Sequence, residues 1–428
     1  MSFFKLKQKM SFKNTIKSLG PGLLWAGAAV GVSHLVQSTR AGAIYGFQLV
    51  GIILLINLFK YPFFEFGPRY ASATGESLLH GYKRLGKWAL ILYLLLTVAT
   101  MFTLQAAITA VTAGLFSFVF PHTFNTITWA IIILTIATII VAFGKYSFLD
   151  KIIKFIIILL ALSTLVAVIS ASTKGFNPQV EFATTFNWTF GDIALLIAFA
   201  GWMPSAIDIS VWHSFWSVAK SKQGKHIPSV KESLFDFNVG YIGTAVLSIG
   251  FLSLGALVMY GTGNTFSENG TIFAGQLIHL FTTNLGSWAY IFIAVAALTT
   301  MSSTTLTCLD AYPRVLKPAT ELIFTKLKKN DSDSWNWLSW MWLIILISGT
   351  LLILLFFLKG MSFLVDFATT LSFLTAPILG YLNFKVVMGK NVSEEHKPKR
   401  WLRILSWIGL TVLTISGIYY LIWKIFFL

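Results

Sequence analysis

The sequence predicts an all-α integral membrane protein of about eleven spanning helices, ten of them forming two inverted repeats of five. The 428-residue chain is 56% hydrophobic and only 11% charged, whereas soluble chains average about 25% charged residues. Apolar segments of the roughly 20 residues that cross a bilayer recur along the whole chain. Two of them, the first and the sixth, are interrupted by glycine, proline and polar residues.

The predicted spans form one membrane domain, because no sharp change of composition divides the chain. They cover residues 20–43, 46–68, 88–115, 125–144, 150–172, 191–218, 237–261, 286–310, 335–358, 362–386 and 402–424. We expect a basic tail over 1–19, a helical core over 20–389 with repeats 20–172 and 191–389, and a loop plus eleventh helix over 390–428.

The basic residues set the orientation, because Lys and Arg collect on the cytoplasmic side of a membrane. Of 32 basic residues, all but five lie in the N-terminal tail or in alternate connections. The exceptions are Lys174, Lys359 and Lys424 on the other side and Arg40 and Lys60 inside spans. We therefore expect a cytoplasmic N-terminus and an outside C-terminus in a bacterial inner membrane. Topology then explains the net charge of +16 without nucleic acid as a partner.

Catalytic chemistry is not expected. Cys308 is the one cysteine, so neither an intrachain disulfide nor a cysteine metal cluster can form. The sequence has no phosphate loop, no nucleophile with a plausible base and no metal-hydrolase motif. We expect no catalytic residue and no cofactor. The lipid bilayer is the expected partner, and the protein is expected to be a monomer.

The interrupted spans suggest where a substrate would bind. Residues 27–34 of span one combine glycines with Ser33 and His34, and residues 200–205 of span six contain Met203-Pro204. Glycine and proline disturb a helix, and unpaired carbonyls at membrane depth are tolerated only against protein or a wet cavity. Because the breaks are five spans apart, they predict inverted repeats around a central site; two ordinary kinked helices are the alternative.

Several short fragments occur in an order that is specific to one family. They are Gly20-Pro21-Gly22, Ala41-Gly42-Ala43, Tyr45-Gly46-Phe47, Asn57-Leu58, Ala73-Thr74-Gly75, Met203-Pro204 and Ser302-Ser303-Thr304-Thr305-Leu306-Thr307. With them the chain resembles the Nramp family of divalent metal transporters, which carry metals such as manganese and iron. The resemblance extends from Gly20 to span ten and implies a LeuT-type fold and alternating access around spans one and six.

The resemblance also implies a substrate site, to which we add Gln37 one turn beyond His34. The site comprises Ala28, Gly31, Ser33, His34, Gln37, Ala200, Met203, Ser205 and Thr375. Gly31 stands where the family has its metal-binding aspartate, and His34 where it has asparagine. Imidazole and thioether bind soft transition metals, so His34 and Met203 are the predicted metal ligands; packing roles are the alternative for both.

The charges of the family's ion and proton routes are also changed. Its acidic pair in span three aligns with Leu104 and Ala107 here. Asp208 is the nearest substitute carboxylate, and helical spacing places it about 140° from Met203, which favours the inner vestibule or a structural pair. Lys60 lies at similar depth, so an Asp208–Lys60 ion pair marking a pathway is expected, with a purely structural pair as the alternative.

Three other charges are expected to be structural. Arg40 should snorkel or pair, with attraction of anions or repulsion of cations as the alternative. Asp366 should pair with Lys359, and Asp310 should pair with Arg314 at the cytoplasmic end of span eight.

The leading hypothesis is a secondary transporter that moves a metal cation, with an altered ion site and altered proton coupling. A transporter of a small non-metal solute on the same scaffold is the second hypothesis. A non-transporting sensor or scaffold is the third. The presence of Gly31 and Pro204 at the helix breaks favours transport, because a scaffold would not need them.

Overall fold

The computed structural model of the protein describes residues 20–143, 146–173, 175–176, 178–223, 228–324, 337–358 and 360–426. The predicted basic tail over 1–19, together with Lys174 and Lys359, lies outside the described residues. Within the described part of the chain, every regular element is a helix.

Fifteen α-helices account for most of the described chain. The first half contains α1 (Pro21–Ala29), α2 (Thr39–Tyr45), α3 (Val50–Thr74), α4 (Leu78–Leu85), α5 (Lys87–Val119), α6 (Thr126–Phe143) and α7 (Tyr146–Thr173). The second half contains α8 (Phe190–Gly201), α9 (Ile209–Gln223), α10 (Val230–Met259), α11 (Gly270–Leu285), α12 (Tyr290–Ile323), α13 (Trp337–Phe357), α14 (Met361–Val387) and α15 (Arg400–Phe426). A π-helical segment covers Ser33–Ser38, and 3₁₀ turns cover Val180–Phe182, Ser287–Ala289 and Glu394–His396.

All eleven predicted spans correspond to helices. Span one is α1 with the π-helical segment and α2, span six is α8 with α9, and each other span is one long helix. Among the described residues, seven helices are long and apolar enough to cross a bilayer (α3, α5, α10, α12, α13, α14 and α15), and α6, α7 and α8 contain shorter apolar stretches. The chain is therefore a multi-pass membrane protein.

Two helices were missed because neither offers a continuous apolar run of spanning length. The first, α4, buries Leu78, Leu79 and Tyr82 but exposes Lys83. The second, α11, is capped by Asn269, whose side chain accepts hydrogen bonds from two backbone N–H groups of its first turn. Capping of this kind satisfies donors that a helix N-terminus otherwise leaves unpaired.

The start of span one is anchored to α10. The carboxylate of Asp236 accepts hydrogen bonds from the backbone N–H groups of Gly20 (3.0 Å) and Gly22 (2.6 Å). A negative charge is favourable at this end of a helix. A Cβ atom on Gly22 would lie 2.1 Å from the carbonyl oxygen of Asp236, so this close approach requires glycine.

The broken spans lie inside the bundle. The first half of span one and α2 pack against α10, α8 packs against α14, and α9 packs against α3. Outer helices such as α13 instead expose apolar side chains, among them Leu355 and Phe356, as is typical of a surface that faces lipid. The two breaks are thereby brought face to face at the centre of the protein.

Candidate functional site

The break in span one is short and is closed by neutral groups. The α-helix ends at Ala29, and Val30 has extended backbone angles. The Ser33 hydroxyl donates to the Ala29 carbonyl (2.8 Å), and the Thr304 hydroxyl of α12 lies 3.5 Å from the Val30 carbonyl oxygen. A Cβ on Gly31 would lie 3.0 Å from the Thr304 hydroxyl oxygen, so the broken backbone rests directly on α12.

The break in span six is longer and is closed by a charge. Helix α8 ends at Gly201, and the chain stays outside regular helix until α9 begins at Ile209. The Lys60 ammonium, supplied by α3 and fully buried, donates to four backbone carbonyls of this segment. They belong to Ala200 (2.9 Å), Gly201 (2.9 Å), Met203 (3.1 Å) and Ser205 (3.1 Å). We call these four oxygens the carbonyl cage.

A cavity of about 30 Å³ lies between the two breaks, which is room for one or two water-sized occupants. It is lined by Ala28, Ala29, Gly31, Val32, Ser33, Leu104, Ile108, Trp202, Ser205, Ala206, Asp208, Ile209, Trp212, Thr304 and Cys308. Four of the residues predicted for the substrate site, Ala28, Gly31, Ser33 and Ser205, are therefore brought together.

Asp208 lines the cavity and is the single carboxylate among its described lining residues. The side chain is buried, and its Oδ1 accepts no hydrogen bond from the part of the chain that the structure describes. Its Oδ2 lies 3.5 Å from the Tyr312 hydroxyl. The helical rotation expected between Met203 and Asp208 does not apply, because both residues precede α9 in non-helical chain. Asp208 consequently faces the site itself.

The expected Asp208–Lys60 ion pair is not formed, because the Lys60 ammonium is directed at the carbonyl cage. Among the described residues, no carboxylate lies within ion-pair distance of Lys60. The four carbonyls, which no sequence pattern associates with Lys60, are the nearer acceptors. Asp208 is left with an oxygen available to a ligand.

The predicted metal ligands have other partners. Both ring nitrogens of His34 are engaged, one with the Ser33 hydroxyl (2.8 Å) and one with the Thr244 carbonyl (3.0 Å). Met203 is buried in an apolar cluster that includes Tyr45 and Leu49. Neither side chain is among the cavity-lining residues, so the geometry does not bring His34 and Met203 together around an ion.

Two other predicted site residues also lie outside the cavity lining. The Thr375 hydroxyl donates to the Ser372 carbonyl of its own helix, at 3.1 Å. Gln37 instead joins a polar cluster beyond the break. Its amide donates to Asp366 (2.9 Å), and the guanidinium of Arg40 pairs with the same carboxylate (2.8 Å). We call Gln37, Arg40 and Asp366 the outer clasp.

The outer clasp connects span one with span ten. Arg40 is thus paired, as expected, and its partner in the described chain is Asp366. Lys359, the expected partner of Asp366, lies outside the described residues. The expected Asp310–Arg314 pair is present at 2.7 Å. None of these charged residues lines the cavity, so the unpaired oxygen of Asp208 stays available to a ligand.

Sequence reasoning missed several cavity residues. Trp202, Trp212, Thr304 and Cys308 all line the cavity. The fragment from Ser302 to Thr307 contributes to the family resemblance, but nothing in it predicts that Thr304 contacts Gly31. The contact depends on how α12 packs against the break.

Most side-chain atoms in the cavity that could coordinate a cation are oxygen atoms. The cavity combines the Asp208 carboxylate with the Ser33, Ser205 and Thr304 hydroxyls, beside two indole rings and one thiol. The described residues contain no cluster of three or more His, Cys, Asp or Glu side chains that could hold a metal ion. Because one carboxylate supplies the local negative charge, the site suits a cation of low charge better than a strongly hydrated divalent ion.

The chain is similar to known membrane proteins over nearly its whole length. A family model described as "Natural resistance-associated macrophage protein-like" matches residues 22–423. An uncharacterized protein of Pasteurella multocida is 38% identical over 411 residues, which cover 95% of this chain and 92% of that protein. The divalent metal cation transporter MntH of Listeria welshimeri is 24% identical over 451 residues, covering 98% of this chain and 92% of that protein.

Solved structures have the same fold. A variant of the Eremococcus coleocola manganese transporter superposes with a TM-score of 0.69 at 15% identity, covering 97% of this chain and 88% of that one. Mhp1, a nucleobase-cation-symport-1 family transporter, superposes with a TM-score of 0.59 at 15% identity, covering 95% and 92%. The predicted all-α membrane fold of LeuT type is thereby confirmed.

Proposed function

The chain belongs to the natural resistance-associated macrophage protein-like (Nramp) family, and on that premise we propose that it is a secondary transporter of a metal cation. The observation that carries this proposal is the cavity at the two helix breaks, where Asp208 presents a free carboxylate oxygen. Helix breaks that face each other across a central site are typical of alternating-access transporters. A buried charge at membrane depth generally marks a pathway.

In the proposed mechanism the cation binds between the two halves of the fold. Asp208 supplies the opposing charge, and the hydroxyls of Ser33 and Thr304 replace part of the hydration shell. The outer clasp joins span one to span ten on the side we assign to the exterior, so admission of cargo from outside requires Arg40 and Asp366 to separate. The N-terminus is cytoplasmic and the C-terminus outside in this proposal.

The ion site and the proton coupling are proposed to differ from those implied by the family resemblance. Gly31 lines the cavity where that resemblance implies an aspartate, and it brings no charge. Leu104 lines the cavity where the resemblance implies an acidic residue. The carboxylate comes from span six instead, so protons would have to use a different route or take no part.

A small organic cation is the second candidate cargo, and the indole rings favour it. Trp202 and Trp212 both line the cavity beside Asp208. Aromatic faces attract organic ammonium groups by cation–π interactions, whereas a bare metal ion gains little from two indoles. A single carboxylate would balance one positive charge on such a solute.

Uptake into liposomes tests the proposal. Purified protein would be assayed with manganese, zinc, copper(I), magnesium and sodium, with the internal pH recorded. We expect saturable flux of at least one metal. We also expect Asp208→Asn to lower that flux at least about tenfold, because removal of one partner from a buried charge pair is costly. Any change of internal pH during uptake would reveal proton movement.

Asp310→Asn is the matched control, because Asp310 is also a buried carboxylate but pairs with Arg314 and is not a cavity-lining residue. It should keep at least half of the parental flux. Folded protein that moves none of the metals would refute the metal proposal, and flux of an organic ammonium that depends on Asp208 would then establish the second candidate. Metal flux unaffected by Asp208→Asn would show that the cargo binds elsewhere.

A further inference from the structure

We propose that the carbonyl cage of span six is a binding site for a monovalent cation which this chain occupies permanently with its own Lys60 ammonium. Once the ammonium is removed, the cage should accept a free alkali ion or a primary alkylammonium. The inference concerns the resident cation beside the cavity, and it stands whether or not the cargo is a metal ion.

The geometry around Lys60 is that of a coordinated cation. Four backbone oxygens lie 2.9–3.1 Å from one nitrogen atom. An ammonium has three hydrogens to donate, and carbonyl oxygens are acceptors only. A neutral amine would direct its lone pair at one of these oxygens, so the arrangement of acceptors calls for the charged form.

The carbonyls require a cation because the helix that would have satisfied them stops. The last carbonyls of any helix have no intrahelical partner, and they lie at the negative end of the helix dipole. Here α8 ends at Gly201 and Pro204, which has no N–H group, follows in the break. Among the described residues, the backbone N–H of Met203 donates to the Ala200 carbonyl, at the long distance of 3.4 Å. Unwound carbonyls of this kind coordinate monovalent cations in broken-helix transporters.

Among the described residues, the Lys60 ammonium finds its hydrogen-bond acceptors in the carbonyl cage, and the charge of Asp208 acts on it from a longer distance. Lys60 is fully buried, its neighbours in α3 include the buried Phe63 and Phe64, and its nitrogen lies 6.0 Å from the Phe64 ring centroid. A buried ammonium without hydrogen bonds is strongly unfavourable. With no carboxylate in ion-pair distance among the described residues, the carbonyl cage provides the stabilising interactions.

This arrangement has a consequence for the neighbouring cavity. The Ala200 carbonyl, predicted as part of the substrate site, is occupied by Lys60 and is not available to cargo. The Ser205 residue contributes its carbonyl to the cage and also lines the cavity, so the resident charge borders the cargo site. A cargo cation is thereby confined to the Asp208 side.

The test replaces the tethered ammonium by a free one. Lys60→Ala removes the amine and most of the stem, leaving room at the cage. Thermal unfolding of the detergent-purified full chain would be followed in about 100 mM sodium, potassium, methylammonium or choline chloride, at equal ionic strength. Methylammonium or an alkali ion should raise the unfolding midpoint of Lys60→Ala by at least about 5 °C relative to choline. Choline cannot donate N–H hydrogen bonds and is too large for the cage.

Three controls isolate the cage. The parent protein should show no such difference between salts, because its site is filled. Lys385→Ala, which removes an exposed lysine of α14, should also show none. Lys60→Met retains the apolar stem, blocks the space and should gain nothing from any cation. If Lys60→Ala unfolds at the same midpoint in all four salts, or if the parent shows the same shift, the proposal is refuted.

A variant that does not fold also gives a result. Lys60→Ser retains one hydroxyl donor and is the second variant, judged by the same shift. If neither variant is recovered folded in choline, the yield of folded protein from extraction in methylammonium becomes the readout. Recovery only with methylammonium or an alkali ion supports the proposal, and failure to recover folded protein in every salt refutes it. None of these readouts depends on transport, so failure of the proposed function would be detected separately.

Discussion

Span one and span six are both interrupted beside the same cavity. The break in span one is closed by neutral groups, whereas the break in span six is closed by a positive charge. In span one, hydroxyls of Ser33 and Thr304 approach the free carbonyls. In span six, the Lys60 ammonium binds four carbonyls. The two breaks therefore differ in the groups that satisfy their carbonyls.

The lengths of the breaks explain the difference. The non-helical gap in span one is limited to Val30 and Gly31, after which the chain turns through the π-helical segment and pairs its carbonyls again. The gap in span six extends from residue 202 to residue 208. A longer gap leaves more carbonyls unpaired at membrane depth, where none can be left without a partner. One ammonium, with three donors and a charge, satisfies several of them at once.

The largest effect on stability is expected when the positive charge at the span-six break is removed. Lys60→Met keeps the apolar stem but leaves the carbonyl cage without a donor. We expect a loss of about 3–5 kcal/mol in the free energy of unfolding, because hydrogen bonds to a charged group, worth about 1.5–3 kcal/mol each, are lost and buried carbonyls are left without a donor. Denaturant unfolding in one detergent would measure it. A loss below that of Ser33→Ala would show that the two breaks are not energetically different.

The glycines at the breaks give the next effect. A Cβ on Gly201 would lie 1.8 Å from the Thr369 carbonyl oxygen, whereas one on Gly31 would lie 3.0 Å from the movable Thr304 side chain. Gly201→Ala must displace the α14 backbone, and we expect a cost of about 2–3 kcal/mol. Gly31→Ala should cost less than about 1 kcal/mol. Equal losses in the same unfolding assay would contradict the conclusion that the backbone at the span-six break is packed more closely than the backbone at the span-one break.

A smaller effect is expected at the neutral break itself. Ser33→Ala removes one hydrogen bond to the Ala29 carbonyl and one contact with the His34 ring. Neutral hydrogen bonds contribute about 1 kcal/mol each, so a loss of about 1–2 kcal/mol should appear in the unfolding assay. Ser172→Ala, on the exposed end of α7, is the matched control and should be neutral. If Ser33→Ala lost as much unfolding free energy as Lys60→Met, the neutral groups at one break and the charge at the other would stabilise the fold equally.

The smallest effect on stability is expected for an ion pair outside the membrane core, between Glu76 and Arg84. The hydrogen-bonded Arg84 guanidinium lowers the pKa of the Glu76 carboxyl. A lowered folded-state pKa stabilises the fold above the unfolded pKa and ceases to do so as the pH falls through the folded value. Both side chains are partly exposed to solvent, which screens their attraction, so Glu76→Gln should cost at most about 0.5 kcal/mol at neutral pH. The difference from the parent should vanish near pH 3, and a cost that grows on acidification would contradict the assigned pair.

The sequence predicted the eleven spans, both breaks and the family resemblance, because each depends on residues close together in the chain. Apolar length locates a span, and glycine or proline within it locates a break. Helix α11 was not predicted, because its polar residues interrupt the apolar run. The rotation assigned to Asp208 was wrong because it assumed continuous helix through the segment that is broken.

The roles of His34 and Met203 as metal ligands stay predictions, and the geometry does not support them. Their side chains contact α10 and an apolar cluster rather than the cavity. A motif position specifies where the backbone lies in a shared fold. The direction of the side chain depends on the helices packed around it.

By itself the sequence determined that this chain spans a membrane, where its helices lie and which two of them break, since these follow from local apolarity and backbone preference. Only the tertiary structure decided that Lys60 binds the carbonyls near Ala200, that Asp208 faces the cavity and that Arg40 pairs with Asp366. Those partners are separated by more than 100 residues or, for Asp208, by a non-helical segment. Contacts of this kind are set by how helices pack, and packing brings together groups that no local pattern links.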